Sequence, residues 1–198
     1  MVARLARCQS DDAAAAMSKV LGLKIVGHDT GAAICVDGKV VAIAEERLTR
    51  VKHSFNKFPR LSINYCLDAF SVTPSEIDLV VIDQAGLGGG QALKKTFASE
   101  TGTLFTNAKV EIINHHDAHA ASAFFASPFA EAAILVYDGS GERMLTHLGV
   151  YATETETLYR GFGNKLEIIQ KTTHARTGQW FPYTFGVGKL YSFLSNNT

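Results

Sequence analysis

The chain has no excess of either charge: 19 Lys and Arg offset 19 Asp and Glu over 198 residues. Binding to a polyanion draws on counterion release from a concentrated basic surface. No such concentration is visible, so neither nucleic acid nor an anionic membrane is expected as a partner. Cysteine is scarce too. Cys8, Cys35 and Cys66 are odd in number and unpaired in spacing, which argues against a disulfide framework or a Cys-type zinc site and fits a cytoplasmic location. No apolar run approaches the ~20 residues that span a bilayer. The first residues carry Arg4 and Arg7 but then Asp11 and Asp12, without the apolar stretch of a secretory signal. Residues 1–20 are therefore expected to be a disordered extension, with Met17 an alternative start. The remainder has the composition of a soluble globular protein.

Three apolar runs open the pattern: Leu23 to Gly27, Ala32 to Val36 and Val40 to Glu46, the last two joined by Asp37-Gly38-Lys39. An Asp-Gly pair between such runs signals a hairpin, so a three-stranded meander is predicted. Arg60 to Phe70 has helical spacing, and Ile77 to Asp83 reads as a buried strand. Gly86 to Gly90 lacks the Gly-Lys-Thr of a P-loop. A helix over Gln91 to Ser99, a strand over Val110 to Ile113 and an Ala-rich helix over Asp117 to Phe125 complete the first half.

The opening plan then returns. Ala133 to Tyr137 is strand-like, Asp138-Gly139-Ser140-Gly141-Glu142 is a tight loop, and Thr146 to Ala152 and Leu166 to Lys171 are further strands. A glycine loop with an Asp thus follows a first strand twice, at Asp29-Thr30-Gly31 and at Asp138-Gly139-Ser140-Gly141. That is the plan of the α/β actin-like (ribonuclease H-like) nucleotide-binding fold. Residues 21–131 are expected to form its first subdomain and 132–198 the start of a truncated second one.

Asn114-His115-His116-Asp117-Ala118-His119 is the sharpest local signal. On a helix, His115 and His119 share one face and can grip one metal ion; His116, three residues before His119, could substitute, and spacing leaves the choice open. Asp138, at the end of an apolar strand, is costly unless paired or ligating. Two imidazoles and a carboxylate suit Fe²⁺, Mn²⁺ or Zn²⁺. Gly139, Ser140 and Gly141 on one side, with Thr30 and Gly31 on the other, could let backbone amides approach a nucleotide phosphate; hairpin turns are the plainer alternative. In the basic run Arg47, Arg50, Lys52 and His53, either Lys52 or Arg50 could reach a phosphate or carbonyl oxygen, with Glu45 and Glu46 as competing partners. His28, at a strand end, could be a general base.

Several strings occur in a characteristic order. Gly27-His28-Asp29-Thr30-Gly31-Ala32-Ala33, then Ala44-Glu45-Glu46-Arg47-Leu48-Thr49-Arg50-Val51-Lys52-His53 and Phe58-Pro59, resemble the start of the NodU/CmcH-type O-carbamoyltransferases. His115-His116-Asp117-Ala118-His119-Ala120-Ala121-Ser122-Ala123-Phe124 and Asp138-Gly139-Ser140-Gly141-Glu142 resemble that family's second signature. The resemblance runs from about Leu21 to Tyr151 and returns weakly near Gly188 to Ser192. It implies an actin-like transferase domain followed by a YrdC-like domain that makes carbamoyl-adenylate from carbamoyl phosphate and ATP. The first domain would pass the carbamoyl group to a hydroxyl of a small-molecule acceptor. By the family pattern His115, His119 and Asp138 are metal ligands, for iron. His28 is the base on the acceptor hydroxyl, and Lys52 contacts the carbamoyl-adenylate.

Departures are present. Leu48 replaces an aromatic, Arg160 to Trp180 matches poorly, and a further Asp ligand and the adenylating domain would lie beyond Thr198. The chain by itself is therefore expected to be inactive. A threonylcarbamoyl-transferring tRNA-modification relative and a non-catalytic nucleotide-binding remnant are the competing readings.

Overall fold

The computed structural model describes residues 18–84, 89–145, 149 and 151–175. Most of the expected N-terminal extension, three of the five residues Gly86 to Gly90, and the weak family match near Gly188 lie outside them.

β1 (Lys19–Lys24), β2 (Gly31–Val36) and β3 (Lys39–Ala44) form the antiparallel meander. Asp37 and Gly38 both take positive φ and pair Val36 with Lys39, the geometry of a two-residue hairpin. β1 runs over Lys19–Lys24 rather than the expected Leu23 to Gly27, and so starts two residues inside the stretch assigned to the extension. β3 stops at Ala44 rather than Glu46, because Glu45 opens helix α1 (Glu45–Thr49). The reason is long-range. The carboxylate of Glu45, 3% exposed, accepts from the amides of Leu61 (3.2 Å) and Ser62 (2.8 Å) and from the Ser62 hydroxyl (2.6 Å). It thereby serves the open amides at the start of α2 (Arg60–Ala69), whose Pro59 supplies no side-chain cap.

β4 (Leu79–Gln84) and β5 (Lys109–Asn114) add parallel to β1, with α3 (Gly89–Thr101) as the crossover between them. The sheet order is β3-β2-β1-β4-β5. Leu21, Leu23, Ile34, Cys66, Ile82, Leu93 and Phe97 pack into its main core.

β6 (Glu131–Tyr137), β8 (Tyr151–Phe162) and β9 (Lys165–Ala175) repeat the antiparallel meander. A short β7 (Arg143–Leu145) pairs with the beginning of β8. Of the strand expected over Thr146 to Ala152, the last two residues, Tyr151 and Ala152, open β8. Residues 146–148 and 150 lie outside the described residues, and twelve-residue β8 starts only at Tyr151. Its sequence Thr153-Glu154-Thr155-Glu156-Thr157 hid it, since Glu154, Thr155 and Thr157 are buried yet polar, and an irregularity between Glu154 and Glu156 breaks the two-residue period. The meander used twice, followed in the first half by two parallel strands, makes this an α/β actin-like (ribonuclease H-like) fold.

Helix α4 (His115–Phe124) packs against strands of both sheets. Ala120, Ala121 and Phe124 join Ile134, Val136 and Tyr159 in the second core. Among the described residues no helix is long and apolar enough to cross a membrane.

Candidate metal centre

The centre is built from the first turn of α4. Asn114, the last residue of β5, caps the helix: its side-chain oxygen accepts from the amides of His116 (2.9 Å) and Asp117 (3.2 Å). The helix therefore begins at His115, two residues before the predicted Asp117, and this sets which histidines share a face. His115 and His119 lie one turn apart, with Nε2 atoms 3.2 Å from each other. His116 points elsewhere. It is 0% exposed, its Nδ1 stands 2.7 Å from the Thr157 hydroxyl, and burial lowers its pKa, keeping the ring neutral.

Asp138 meets this pair from the loop after β6. Its Oδ2 is 2.9 Å from His115 Nε2 and 3.9 Å from His119 Nε2, and the three ligand atoms lie within 4.8 Å of one another. Donors about 2.1 Å from one ion stand roughly 3.0 to 3.5 Å apart at right-angle to tetrahedral separations. The observed spacings cover that range and extend slightly past it. Asp138 Oδ1 accepts from the Gly139 amide (2.6 Å), whereas Oδ2 is buried with no aligned hydrogen-bond donor among the described residues. A buried carboxylate oxygen that faces two imidazole nitrogens, 2.9 and 3.9 Å away, without a well-aligned hydrogen bond fits a divalent cation.

The electrostatics agree. Burial disfavours a charged His115 ring, but the carboxylates of Asp138 and Asp83 outweigh it and raise the pKa to about 9. His115 in turn holds the Asp138 carboxyl well below the usual range, against its burial. Burial, and then the neighbouring His115 charge, lowers His119. The pocket thus attracts one positive charge, which a proton or a metal ion can supply.

Two residues that sequence reasoning missed support the centre. Asp83, at the end of apolar β4, places both carboxylate oxygens 3.0 Å from His115 Nδ1. The signal available was a lone acid ending a buried Val-Val-Ile run. Glu154 is 0% exposed on β8 and accepts from Asn114 Nδ2 (3.0 Å), the Glu142 amide (3.0 Å) and Lys171. Asn114 Nδ2 also donates to Glu142 (2.7 Å), which takes a further hydrogen bond from Gln84 (2.6 Å). One asparagine thus caps the histidine helix and ties it to the loop that carries Asp138.

The phosphate-binding expectations look different in three dimensions. The Gly141 amide donates to the Glu154 carbonyl (2.9 Å), so it is not free for a phosphate. A Cβ at 141 would stand 2.5 Å from His116 Nε2 and 2.9 Å from Glu154 Cβ, so close packing explains that glycine. The Gly139 amide is directed at its neighbour Asp138, and Ser140 is exposed. Thr30 is 0% exposed, with its hydroxyl donating to the Ser54 carbonyl (3.0 Å). Gly31 lies within β2, where a Cβ would come 2.7 Å from the Ile43 carbonyl oxygen.

His28 is open to solvent, with its side chain 72% exposed. Its Nδ1 is 2.7 Å from Asp29 Oδ2, and the other Asp29 oxygen is 3.2 Å from His53 Nδ1. Lys52, exposed, precedes His53 in a loop where Arg50, His53, Ser54 and Asn56 all take positive φ. Asp29, Glu46 and His53 form a second group of potential ligands within 4.8 Å, largely open to solvent.

A twice-built actin-like meander with a histidine–aspartate centre at the join defines the class of protein. The chain belongs to the carbamoyltransferase N-terminus family, whose profile matches residues 19–103 and 91–198. It is 32% identical over 220 residues to an uncharacterized protein of Synechocystis sp., covering 92% of this chain and 32% of that one. It is also 36% identical over 136 residues to nodulation protein NolNO of Sinorhizobium fredii, covering 58% of this chain and 20% of that one. The chain thus spans about a third or less of these relatives' length. Among solved structures, YeaZ from Pseudomonas aeruginosa overlays 84% of this chain and 71% of its own at 13% identity, with a TM-score of 0.48.

Proposed function

We propose that this chain is the beginning of an O-carbamoyltransferase that moves a carbamoyl group from carbamoyl-adenylate to a hydroxyl of a small acceptor in the cytoplasm. Family membership supports the carbamoyl transfer. The convergence of His115 Nε2, His119 Nε2 and Asp138 Oδ2 carries the reading of the centre.

In this reading those three residues hold a divalent cation, iron by the family resemblance. Such an ion supplies Lewis-acid stabilisation of the negative oxygen that develops at the carbamoyl carbon. His28 is the base: Asp29 engages its Nδ1, leaving Nε2 to take the proton of the acceptor hydroxyl. The acceptor oxygen bonds to the carbamoyl carbon, the bond from that carbon to the phosphate oxygen breaks, and AMP leaves with the electron pair. Lys52 neutralises charge on the adenylate phosphate. Of the glycine-loop residues, Ser140 is the one whose exposed hydroxyl best suits a phosphate contact. A YrdC-like domain elsewhere in the intact protein makes the carbamoyl-adenylate from carbamoyl phosphate and ATP. The even charge balance favours a small acceptor over tRNA.

The test is metal content. Purified wild type is expected to bind one divalent ion per chain, and His115→Ala with His119→Ala to bind none. An unchanged stoichiometry in the double variant would remove the centre from the mechanism.

A further inference from the structure

We infer that Asp83, backed by Lys24, is the positioning residue that locks the His115 ring so that Nε2, and not Nδ1, faces the cation. The inference rests on the metal-centre reading and adds a residue to it from a different strand.

Asp83 is 6% exposed and follows Val80, Val81 and Ile82, all buried, so an ionised carboxylate there is costly without partners. Its partners are Lys24 on adjacent β1, with Nζ 3.2 Å from Oδ2, and His115, with both carboxylate oxygens 3.0 Å from Nδ1. Nδ1 can satisfy them only by carrying its proton. Nε2 is then the nitrogen left for a cation, and it lies 2.9 Å from Asp138 Oδ2. A carboxylate behind a metal-bound imidazole fixes its tautomer and rotation and makes the free nitrogen a better donor. Against its burial, His115 first and Lys24 after it favour the ionised form of Asp83.

The arrangement also spans the two halves. Asp83 belongs to β4 of the first sheet, whereas Asp138 follows β6 of the second. His115 is gripped by a carboxylate from each side, so a cation bound at Nε2 is referenced to the rigid strands of the first sheet. An ordinary structural ion pair between Lys24 and Asp83 would not require the imidazole.

The experiment titrates the metal-free full chain with zinc against a competing chelator for wild type, Asp83→Ala, Asp83→Asn and His115→Ala. Asp83→Ala is expected to bind zinc 10- to 100-fold more weakly. Asp83→Asn should fall between, because its amide oxygen still accepts from Nδ1 but brings no charge. In long-range nitrogen-15 NMR of the zinc-loaded protein, wild-type His115 should be protonated at Nδ1 and metal-bound at Nε2, and Asp83→Ala should lose that single pattern. Wild-type zinc binding that is indifferent to His115→Ala would refute the metal centre itself. Binding that depends on His115 yet is equal in wild type and both Asp83 variants would overturn the role of Asp83 alone. Should Asp83→Ala not fold, the near-isosteric Asp83→Asn decides the question: affinity equal to wild type overturns the inference, and weaker affinity upholds it.

Discussion

Raising pH from 6 to 9.5 is expected to weaken the metal-free protein and to spare the metal-loaded one. His115 has an ordinary pKa near 6.5 when unfolded and about 9 when folded, because Asp138 and Asp83 outweigh its burial. Between those values the folded state binds more protons than the unfolded state, so stability falls as pH rises. The contribution is fully present below 6.5 and gone above about 9. At about 1.4 kcal/mol for each tenfold change in proton affinity, the ceiling is on the order of 3 kcal/mol. His116 and His119 have lowered values, and so act in the other direction and at lower pH, where stability rises as pH climbs toward 6.5. A cation that occupies the centre replaces the His115 proton, and its affinity improves as that proton leaves. Urea unfolding with a chelator should therefore show a decline between pH 6.5 and 9. That decline should disappear in His115→Gln and on adding zinc. A wild-type profile flat across that window, or one whose slope survives His115→Gln, would refute the assignment of charge to this histidine.

Gly141→Ala is expected to cost about 1 to 3 kcal/mol, the usual penalty for overpacking. The new methyl would meet His116 and Glu154, both 0% exposed and unable to retreat; a double-mutant cycle with His116→Ala in urea should return part of the loss, and full additivity would refute the clash. His28→Asn should leave stability within about 0.5 kcal/mol, since the side chain is 72% exposed. In the intact enzyme the same change should lower kcat/KM for carbamoyl transfer by about 10²- to 10⁴-fold. Unaltered turnover would assign His28 a merely local bond with Asp29.

Local patterns made much of the fold legible. The Asp37-Gly38 turn, the apolar run of β2, the spacing of α2 and the shape of the Asp138 loop all depend on neighbours a few residues away. Element ends followed other rules. Glu45 left the strand pattern to serve the start of α2, sixteen residues on, and Asn114 moved the start of α4 back to His115. β8 escaped notice because its inward residues are polar, and that polarity answers to Asn114 and Lys171 on other elements.

The sequence by itself determined that His115, His119 and Asp138 could act together, because helical spacing and ordered family strings need no third dimension. It also put forward His28 as a base and Lys52 as an adenylate contact, roles that the family resemblance implies. Tertiary structure decided the rest: that His116 turns to Thr157, that the Gly141 amide is spent on Glu154, and that Asp83 stands behind His115. The reason is burial. A donor or acceptor withdrawn from water must find its partner wherever the chain brings one, and those partners lie tens of residues away in sequence.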